Sequence, residues 1–494
     1  MDRLFLLLFP LIPVFFGMSA LLIKLVLRKD ISVSVIWASS AIQAFWGTML
    51  AIKYYRSSGV YVEKISALPF SIAFGIDRFK IYFLLCYTIT LLYIMFSGKI
   101  RNNFRYFYTR MLFLFFMTGC SGLLITADVF NFYVLYELMI MSAYAIIAEN
   151  RKYYPALKYM LFGILSSVLF LIGMVLFYYV NGHFIFMQDN IIVNEIMLFV
   201  FAVAFSIKAG LFPSSSWVAD CHSACSSLFS VCLSAFPITT GIYGLLYFVV
   251  LPAEASGNDV IMDILMIISV STMLIISVFS YFEKGLKRTV AFTSTLAMAT
   301  ALFMIVKGQI HLGLLYLVFH AFYKGGLFLV LDDMDYKRPY KKGIRVGFTA
   351  RVLFIVLVFF AAGFYPTYTF MIKNSFIHQT YSGKLLLLFQ TFCVFAAFFK
   401  YRFVHDKEVK HTGTMWVSII ALIYIVKNLK ITVFFDFEME IWAEMLIVYF
   451  IFLWIPTTYA SLPMLHNLGE KIWYRSLNHE LFYATLFSLY FLLF

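Results

Sequence analysis

Five side chains able to hold or pass a proton lie deep in apolar runs of this sequence or at their edge: Glu137, Lys208, His320, Lys324 and Lys373. Glu137 falls eight residues into the run 129–148, about 12 Å along a helix and so near the middle of a hydrocarbon layer roughly 30 Å thick. Lys208 belongs to the run 191–212, and Lys373 directly follows the run 346–372. His320 and Lys324 share the run 310–331, one turn apart on the same helix face. An ionised side chain at that depth costs roughly 2.5–3.5 kcal/mol on insertion scales, so each position is a functional candidate. A lysine removed from water holds its proton less tightly, and a carboxylate partner restores that hold. Glu137 paired with Lys208 would therefore be a switchable site, releasing the lysine's proton as the pair separates. The alternative is a set of static charge pairs that hold helices together.

The two outer lysines flank helix breaks. Lys208 precedes Pro213 by five residues, and Lys373 follows Pro366 by seven, in the stretch opened by Gly363. Proline removes a backbone donor and frees carbonyls that lipid cannot satisfy. Such breaks are tolerated where they line a hydrated cavity, and a matched pair of them points to an inverted-repeat transporter. The lysine precedes the break in one run and follows it in the other, so the two sites are related without being equivalent.

The remaining reactive residues carry less. Ser214, Ser215 and Ser216 with Asp220 and His222 supply the residue types of a hydrolase triad, but no G-x-S-x-G elbow frames them. Cys86, Cys120, Cys221, Cys225, Cys232 and Cys393 form no C-x-x-C pair and read as buried small side chains rather than metal or iron–sulfur ligands. With no G-x-G-x-x-G and no P-loop, nucleotide binding is not suggested, and no cofactor is expected. Asp77 and Asp128 open apolar runs, where a cap or network role is the default. Lys158 and Lys400 lie near run ends, from which a lysine snorkels to the interface.

The elements that must carry these residues are membrane helices. Of 494 residues, 63% are hydrophobic and 13% charged, too little charge to cover a soluble surface. The net charge of +13 comes from Lys and Arg collected between apolar runs, which excludes nucleic acid as the expected partner. The runs are 4–27, 31–52, 79–96, 111–127, 129–148, 157–180, 191–212, 228–251, 261–282, 289–306, 310–331, 346–372 and 384–403, then a weaker 415–425, 441–462 and 481–494. At about 20 residues per span they predict an all-α polytopic membrane protein of about 14 transmembrane helices, and about 16 if every run crosses. The run 4–27 is too long for a cleaved signal and is expected to be a retained span. Basic links (Lys99 to Arg110, Arg151 and Lys152, Lys284 to Arg288, Lys337 to Arg345) alternate with the links 181–190 and 252–260, which hold no Lys or Arg. The positive-inside rule then puts the N-terminus outside, with Lys53, Arg56 and Lys64 against the pattern. One membrane domain fills residues 1–494.

From Asp128-Val-Phe-Asn131-Phe-Tyr-Val-Leu-Tyr-Glu137 the chain resembles the antiporter-like subunits shared by Mrp-type cation/proton antiporters, respiratory complex I and membrane-bound hydrogenases. The likeness continues through Ala156-Leu-Lys-Tyr159, the segment 166–173, Lys208-Ala-Gly-Leu-Phe-Pro213, Trp217-Val-Ala-Asp-Cys-His222 and Leu233-Ser-Ala235. Gly241-Ile-Tyr-Gly244, the segment 287–292, His320-Ala-Phe-Tyr-Lys324 and the segment 363–373 complete it, over roughly residues 70–405. The resemblance implies two inverted five-helix repeats, 111–251 and 261–404, with broken seventh and twelfth helices, then C-terminal helices in 405–494. It implies Glu137 and Lys208 as an input pair, His320 and Lys324 as a central relay and Lys373 as an exit, supported by Asp128, Thr239 and His222.

By the same resemblance the partners would be other membrane subunits and protons, with Na+ a candidate coupling ion, in a bacterial inner membrane. A role like that of the D-type member of Mrp assemblies is favoured by length and by the segment after the fifth helix. A complex I-like proton-pumping subunit and a structural subunit with a decayed path are the alternatives; in none is the chain itself a redox catalyst. Departures from the family pattern are specific. Thr239, two residues after Pro237, stands where the family has a lysine, the Trp217 segment lacks its proline, Ser226 and Leu228 replace two prolines, and the twelfth helix keeps only Tyr365-Pro366 and Thr369. A threonine orients water but holds no proton charge, so the relay from Lys208 to His320 would depend on water.

Overall fold

The computed structural model describes residues 2–55, 61–64, 72–149, 152–187, 191–332, 334–335, 344–364, 367–380, 383–401 and 403–405. The runs 415–425, 441–462 and 481–494, Pro366, and the basic link residues Arg56, Arg151 and 337–342 lie outside the described residues.

Short polar residues and glycines set the helix ends. After α1 (Asp2–Leu27) and α2 (Ser32–Tyr55), α3 (Arg78–Phe96) starts at Asp77, whose carboxylate accepts from the Lys80 amide at 2.9 Å. In the link before α2, Asp30 accepts from Ser32 and from Arg110. Burial works against its charge, but those bonds and the guanidinium win and hold the Asp30 carboxyl below its ordinary range. The one-turn α4 (Ile100–Asn103) leads to α5 (Phe107–Ile125). Next, α6 (Val129–Ala148) begins at Asp128, which accepts from the Asn131 amide at 2.8 Å, and α7 (Tyr153–Asn181) ends at the left-handed Gly182. Both aspartates are therefore caps, as expected.

The middle of the chain holds α8 (Glu195–Lys208), α9 (Ser216–Ala224), α10 (Ser227–Ala235), α11 (Thr239–Leu245), a π-helical turn at Leu246–Val250 and α12 (Leu251–Ser256). Then come α13 (Asp259–Phe282), α14 (Leu286–Val306), α15 (Ile310–Leu331), α16 (Phe348–Ala362), α17 (Tyr368–Thr380) and α18 (Lys384–Phe399). Ten helices among the described residues are long and apolar enough to cross a membrane, Ser227–Ser256 counting as one. The protein is a polytopic all-α membrane protein. Short strands β1 (Tyr61–Lys64) and β2 (Ala73–Ile76) pair antiparallel, while β4 (Ile344–Val346) joins β3 (Met334–Asp335) to β5 (Phe403–His405). These link-tying strands had no counterpart in the hydropathy pattern.

Both expected breaks occur. The run 191–212 stops as helix at Lys208, turns through Gly210 (φ +64°) and Pro213, and resumes as α9. The run 346–372 stops at Ala362, where Gly363 (φ +80°) caps it, and resumes as α17. Pro237 divides a third run between α10 and α11. The centre of the bundle is α10, α11, α14 and α15, almost wholly buried and rich in Ser, Thr and Gly, which permit close backbone approach. There α14 packs on α13, α15 and α9, α15 on α3 and α10, and α11 on α8. A Cβ on Gly241 would fall 2.2 Å from the Ala209 nitrogen, and one on Gly244 2.1 Å from the Phe205 ring. The lysine-bearing end of α8 is thus seated flush against α11.

Candidate functional site

Lys208 is the last residue of α8, so its ammonium hangs at the carbonyl-rich end of a half-helix, the end whose dipole favours a cation. It is buried, donates to the Tyr159 hydroxyl at 3.2 Å, and faces the rings of Tyr136 and Tyr159 at 5.3 and 4.8 Å from their centroids. Trp217 of α9 donates its indole N–H to the Ile207 carbonyl at 3.1 Å and so ties the two halves of the broken helix together.

Glu137 does not pair with Lys208 directly. Among the described residues no ion pair joins them; Ser167 of α7 donates to the carboxylate instead, although the two charges act on each other. The reason is rotational. Glu137 shares its stripe of α6 with Phe130, Val134 and Met141, which are 38%, 47% and 45% exposed, while the adjacent Tyr136 turns inward onto Lys208. The carboxylate is half-buried on an outward face, and the aromatic ring rather than the carboxylate covers the ammonium.

His320 and Lys324 are fully buried on α15. Lys324 donates to the Val290 carbonyl and the Thr293 hydroxyl of α14. Neither ring nitrogen of His320 has a hydrogen-bond partner among the described residues. His222 of α9 stacks on Phe328, one turn beyond Lys324, with centroids 4.8 Å apart and planes at 10°. It therefore belongs to the same central cluster, and its Nδ1 is likewise unpartnered, as are the hydroxyls of Ser206, Ser216 and Thr295. A buried polar atom with no protein partner is costly unless ordered water reaches it. Thr239 turns its hydroxyl back on its own helix, donating to the carbonyls of Ala235 at 2.8 Å and Phe236 at 2.9 Å. Lys373 of α17 donates to the carbonyl of Ala362 at 3.1 Å and to Thr391 of α18 at 2.9 Å.

Several side chains differ from their expected places. Lys158 does not snorkel: it is 2% exposed and pairs with Asp220 at 2.8 Å. Its helix begins at Tyr153, before the apolar run does, which carries Lys158 more than a turn inside. Arg288 also binds Asp220 and reaches Glu283 at 2.9 Å, so one buried carboxylate joins α7, α9 and α14. Lys400 bends back to the carbonyls of Ser280, Tyr281 and Glu283. With Asp220 engaged in this way and His222 on Phe328, the serine–aspartate–histidine grouping is not a triad. All six cysteines are buried and unpaired, and no group of three or more His, Cys, Asp or Glu among the described residues could hold a metal. Lys80 was not anticipated at all. It is buried among Phe186, Tyr243 and Tyr247 and donates to the carbonyls of Gly75 and Thr126 at 2.9 and 2.5 Å. Only its second place in a run could have flagged it.

Residues 126–400, which hold Glu137, Lys208, His222, Thr239, His320, Lys324 and Lys373, match the family described as the transmembrane NADH:quinone oxidoreductase/Mrp antiporter family. The chain belongs to that family. Among curated members it is 25% identical over 377 residues to a Staphylococcus aureus (strain JH9) protein assigned as antiporter subunit mnhD2, covering 69% of this chain and 74% of that one. The counterpart from strain Mu3 is 26% identical over 378 residues. The fold of this chain is shared with a chain of the membrane-bound sulfane sulfur reductase, an archaeal respiratory membrane complex, at a TM-score of 0.74, 18% identity and coverage of 85% and 94% of the two chains. It is shared too with a chain of the Mrp complex from Dietzia sp. DQ12-45-1b, at a TM-score of 0.65 and 21% identity over 87% and 81%. An antiporter-like membrane subunit is therefore the functional class of this family member.

Proposed function

We propose that this chain is a proton-translocating subunit of a multisubunit membrane complex of the Mrp type, which exchanges a monovalent cation, with Na+ the candidate, for protons. The observation that carries the reading is the order of ionisable groups through the bundle. Lys208 stands at one helix break, His222, His320 and Lys324 cluster at the centre, and Lys373 stands at the other break. Unpartnered buried polar atoms sit on the helices that carry these groups: the hydroxyls of Ser206 on α8, Ser216 on α9 and Thr295 on α14, and ring nitrogens of His222 and His320. Water bound to them would carry the proton past Thr239. The lysine at each break also supports treating 111–251 and 261–404 as inverted repeats.

Membrane partners follow from Glu137. A carboxylate in an outward apolar stripe is costly in lipid, and a neighbouring subunit over Phe130, Val134 and Met141 would shield it. The chain's basic links place its N-terminus outside the bacterial cell membrane in this reading.

The test is cation-driven proton movement by the complete complex in everted vesicles. Lys208→Ala and Glu137→Gln should each lower it at least about tenfold, the equivalent of ~1.4 kcal/mol at the barrier. Unchanged exchange in both variants would overturn the reading. It would favour instead a structural subunit with a decayed path, for which the inward-turned Thr239 hydroxyl is the supporting observation.

A further inference from the structure

An apolar groove runs between α1 and α5, and cations without acidic partners gather at one end of it. Val14, Gly17, Met18 and Leu21 of α1 face Leu114 and Phe115 of α5 across a cavity of about 90 Å³. Met18, Leu21 and Phe115 are exposed, so the groove opens to the surface of the bundle. The two helices run antiparallel there. Lys24, near the end of α1, stands over the ring of Phe107 at the start of α5, 3.5 Å from its centroid. It follows Leu21 by three residues, about 4.5 Å along the axis, at the mouth of the groove.

The links beside Lys24 add charge. Arg28 and Lys29 are exposed between α1 and α2, and Arg105 is exposed just before α5. Arg110 ties these segments together, donating to the Arg105 carbonyl at 3.0 Å and to the Asp30 carboxylate at 2.6 Å. The carboxylates at this end are engaged: Asp30 with Arg110, Asp332 with Lys99 at 3.8 Å, and Glu149 with the Thr109 hydroxyl at 2.9 Å. Among the described residues no ion pair reaches Lys24, Arg28, Lys29 or Arg105. Arg28 also takes φ +55°, the left-handed region in which glycine or asparagine ends a helix without strain. A strained residue of this kind points to a function served by its side chain. Exposed Tyr106 and Tyr108, stacked with centroids 5.3 Å apart, mark the level, since tyrosine gathers at headgroup depth.

Cations above an apolar slot match a molecule with an anionic head and a hydrocarbon tail. The cations repel one another, and a phosphate relieves that repulsion while Lys and Arg bind its oxygens. An apolar helix from a neighbouring subunit would fill the slot and leave the cations uncompensated. We propose that Lys24, Arg28, Lys29 and Arg105 bind the phosphate of an anionic phospholipid whose acyl chain lies in the groove between α1 and α5. The proposal is independent of the proton-transfer reading, because none of these residues belongs to the series from Lys208 to Lys373.

The test uses the full chain, purified in detergent with its accompanying subunits. Native mass spectrometry compares phosphatidylglycerol with phosphatidylcholine of identical acyl chains. Phosphatidylglycerol should bind the parent more tightly. Arg28→Gln should weaken it about fivefold, and Lys24→Gln with Arg28→Gln about twenty-five-fold, with phosphatidylcholine unaffected. Gly17→Leu puts a side chain into the groove and favours the helix, and should weaken phosphatidylglycerol at least about threefold. Equal binding of the two lipids by the parent, or charge variants that bind like the parent, would overturn the proposal. Charge variants that lose the lipid while Gly17→Leu keeps it would also overturn it, because they mark surface charge with no seated chain. A photoreactive side chain at Met18 decides the matter even where a variant fails to fold. It should capture phospholipid, whereas capture of another subunit or of another segment of this chain means that protein covers the groove and the site does not exist.

Discussion

Lys373 donates to the carbonyl of Ala362, the last residue of the helix before its own, at 3.1 Å. The ammonium thus returns across the break to the carbonyl end of α16, the electrostatic position that Lys208 holds directly at the end of α8. A lysine after one break and a lysine before the other arrive at the same kind of site.

Gly363 makes this return possible. It adopts φ +80°, and a Cβ there would stand 3.1 Å from the Lys373 nitrogen and 3.2 Å from its Cδ and Cε. Gly363→Ala should therefore lower stability by about 1–2 kcal/mol through the left-handed backbone and also displace the lysine head. Gly363→Asn tolerates that backbone better, so it should recover most of the thermal stability without recovering transport. Thermal unfolding of the detergent-solubilised complex and vesicle exchange separate the two effects. Equal recovery of both would show that Gly363 matters only for the turn.

Asp128 carries a pH signature. It caps α6 from outside the span, and burial pushes its carboxyl up to about 6, with the backbone N–H groups of Asn131, Ala73 and Phe130 pulling back only in part. The folded state therefore holds this proton more tightly than the unfolded chain. Its contribution to stability is full below about pH 4 and is lost as the pH rises through about 6. Asn caps a helix as well as Asp and does not titrate. Asp128→Asn should gain on the parent by roughly 1 kcal/mol between pH 5 and pH 7.5, read as a widening difference in melting temperature. A difference that stays constant with pH would mean that the carboxyl is not held protonated.

Much of this architecture could be read from local pattern because membrane helices announce themselves locally. A run such as 310–331 needs only its own residues to be recognised, and Gly363 and Pro213 mark breaks by their own backbone chemistry. The intramembrane positions of Lys208, His320 and Lys324 followed from the same runs. What local pattern could not supply is who faces whom. Glu137 and Tyr136 are adjacent in sequence, and a 100° rotation per residue sends one outward and the other onto Lys208. Gln390 and Thr300 meet across 90 residues, and Lys158 and Asp220 across 62, with no periodicity to join either pair. His222 was placed with the central cluster only by its stacking on Phe328.

Asp220 offers the sharpest test of packing against function. It is 6% exposed and accepts from Lys158 on α7 and from Arg288 on α14, so a single carboxylate ties a helix of the first half to one of the second. Removing one partner of a buried pair leaves the other charge without compensation, typically at about 3–5 kcal/mol. Asp220→Ala should therefore destabilise the protein strongly, because Lys158 at 2% exposure has no route to water. Replacing the pair together, Asp220→Ala with Lys158→Met, should be the milder change by at least about 1 kcal/mol, since no buried charge remains on α7. Arg288 is spared in both cases because Glu283 still holds it at 2.9 Å. A double-mutant cycle on melting temperature reads the coupling directly. Additive effects would mean that the Lys158–Asp220 contact carries no net energy and that the halves are joined by apolar packing alone. If the doubly substituted protein is stable yet transports slowly, the network holds the two halves in the alignment that proton transfer needs.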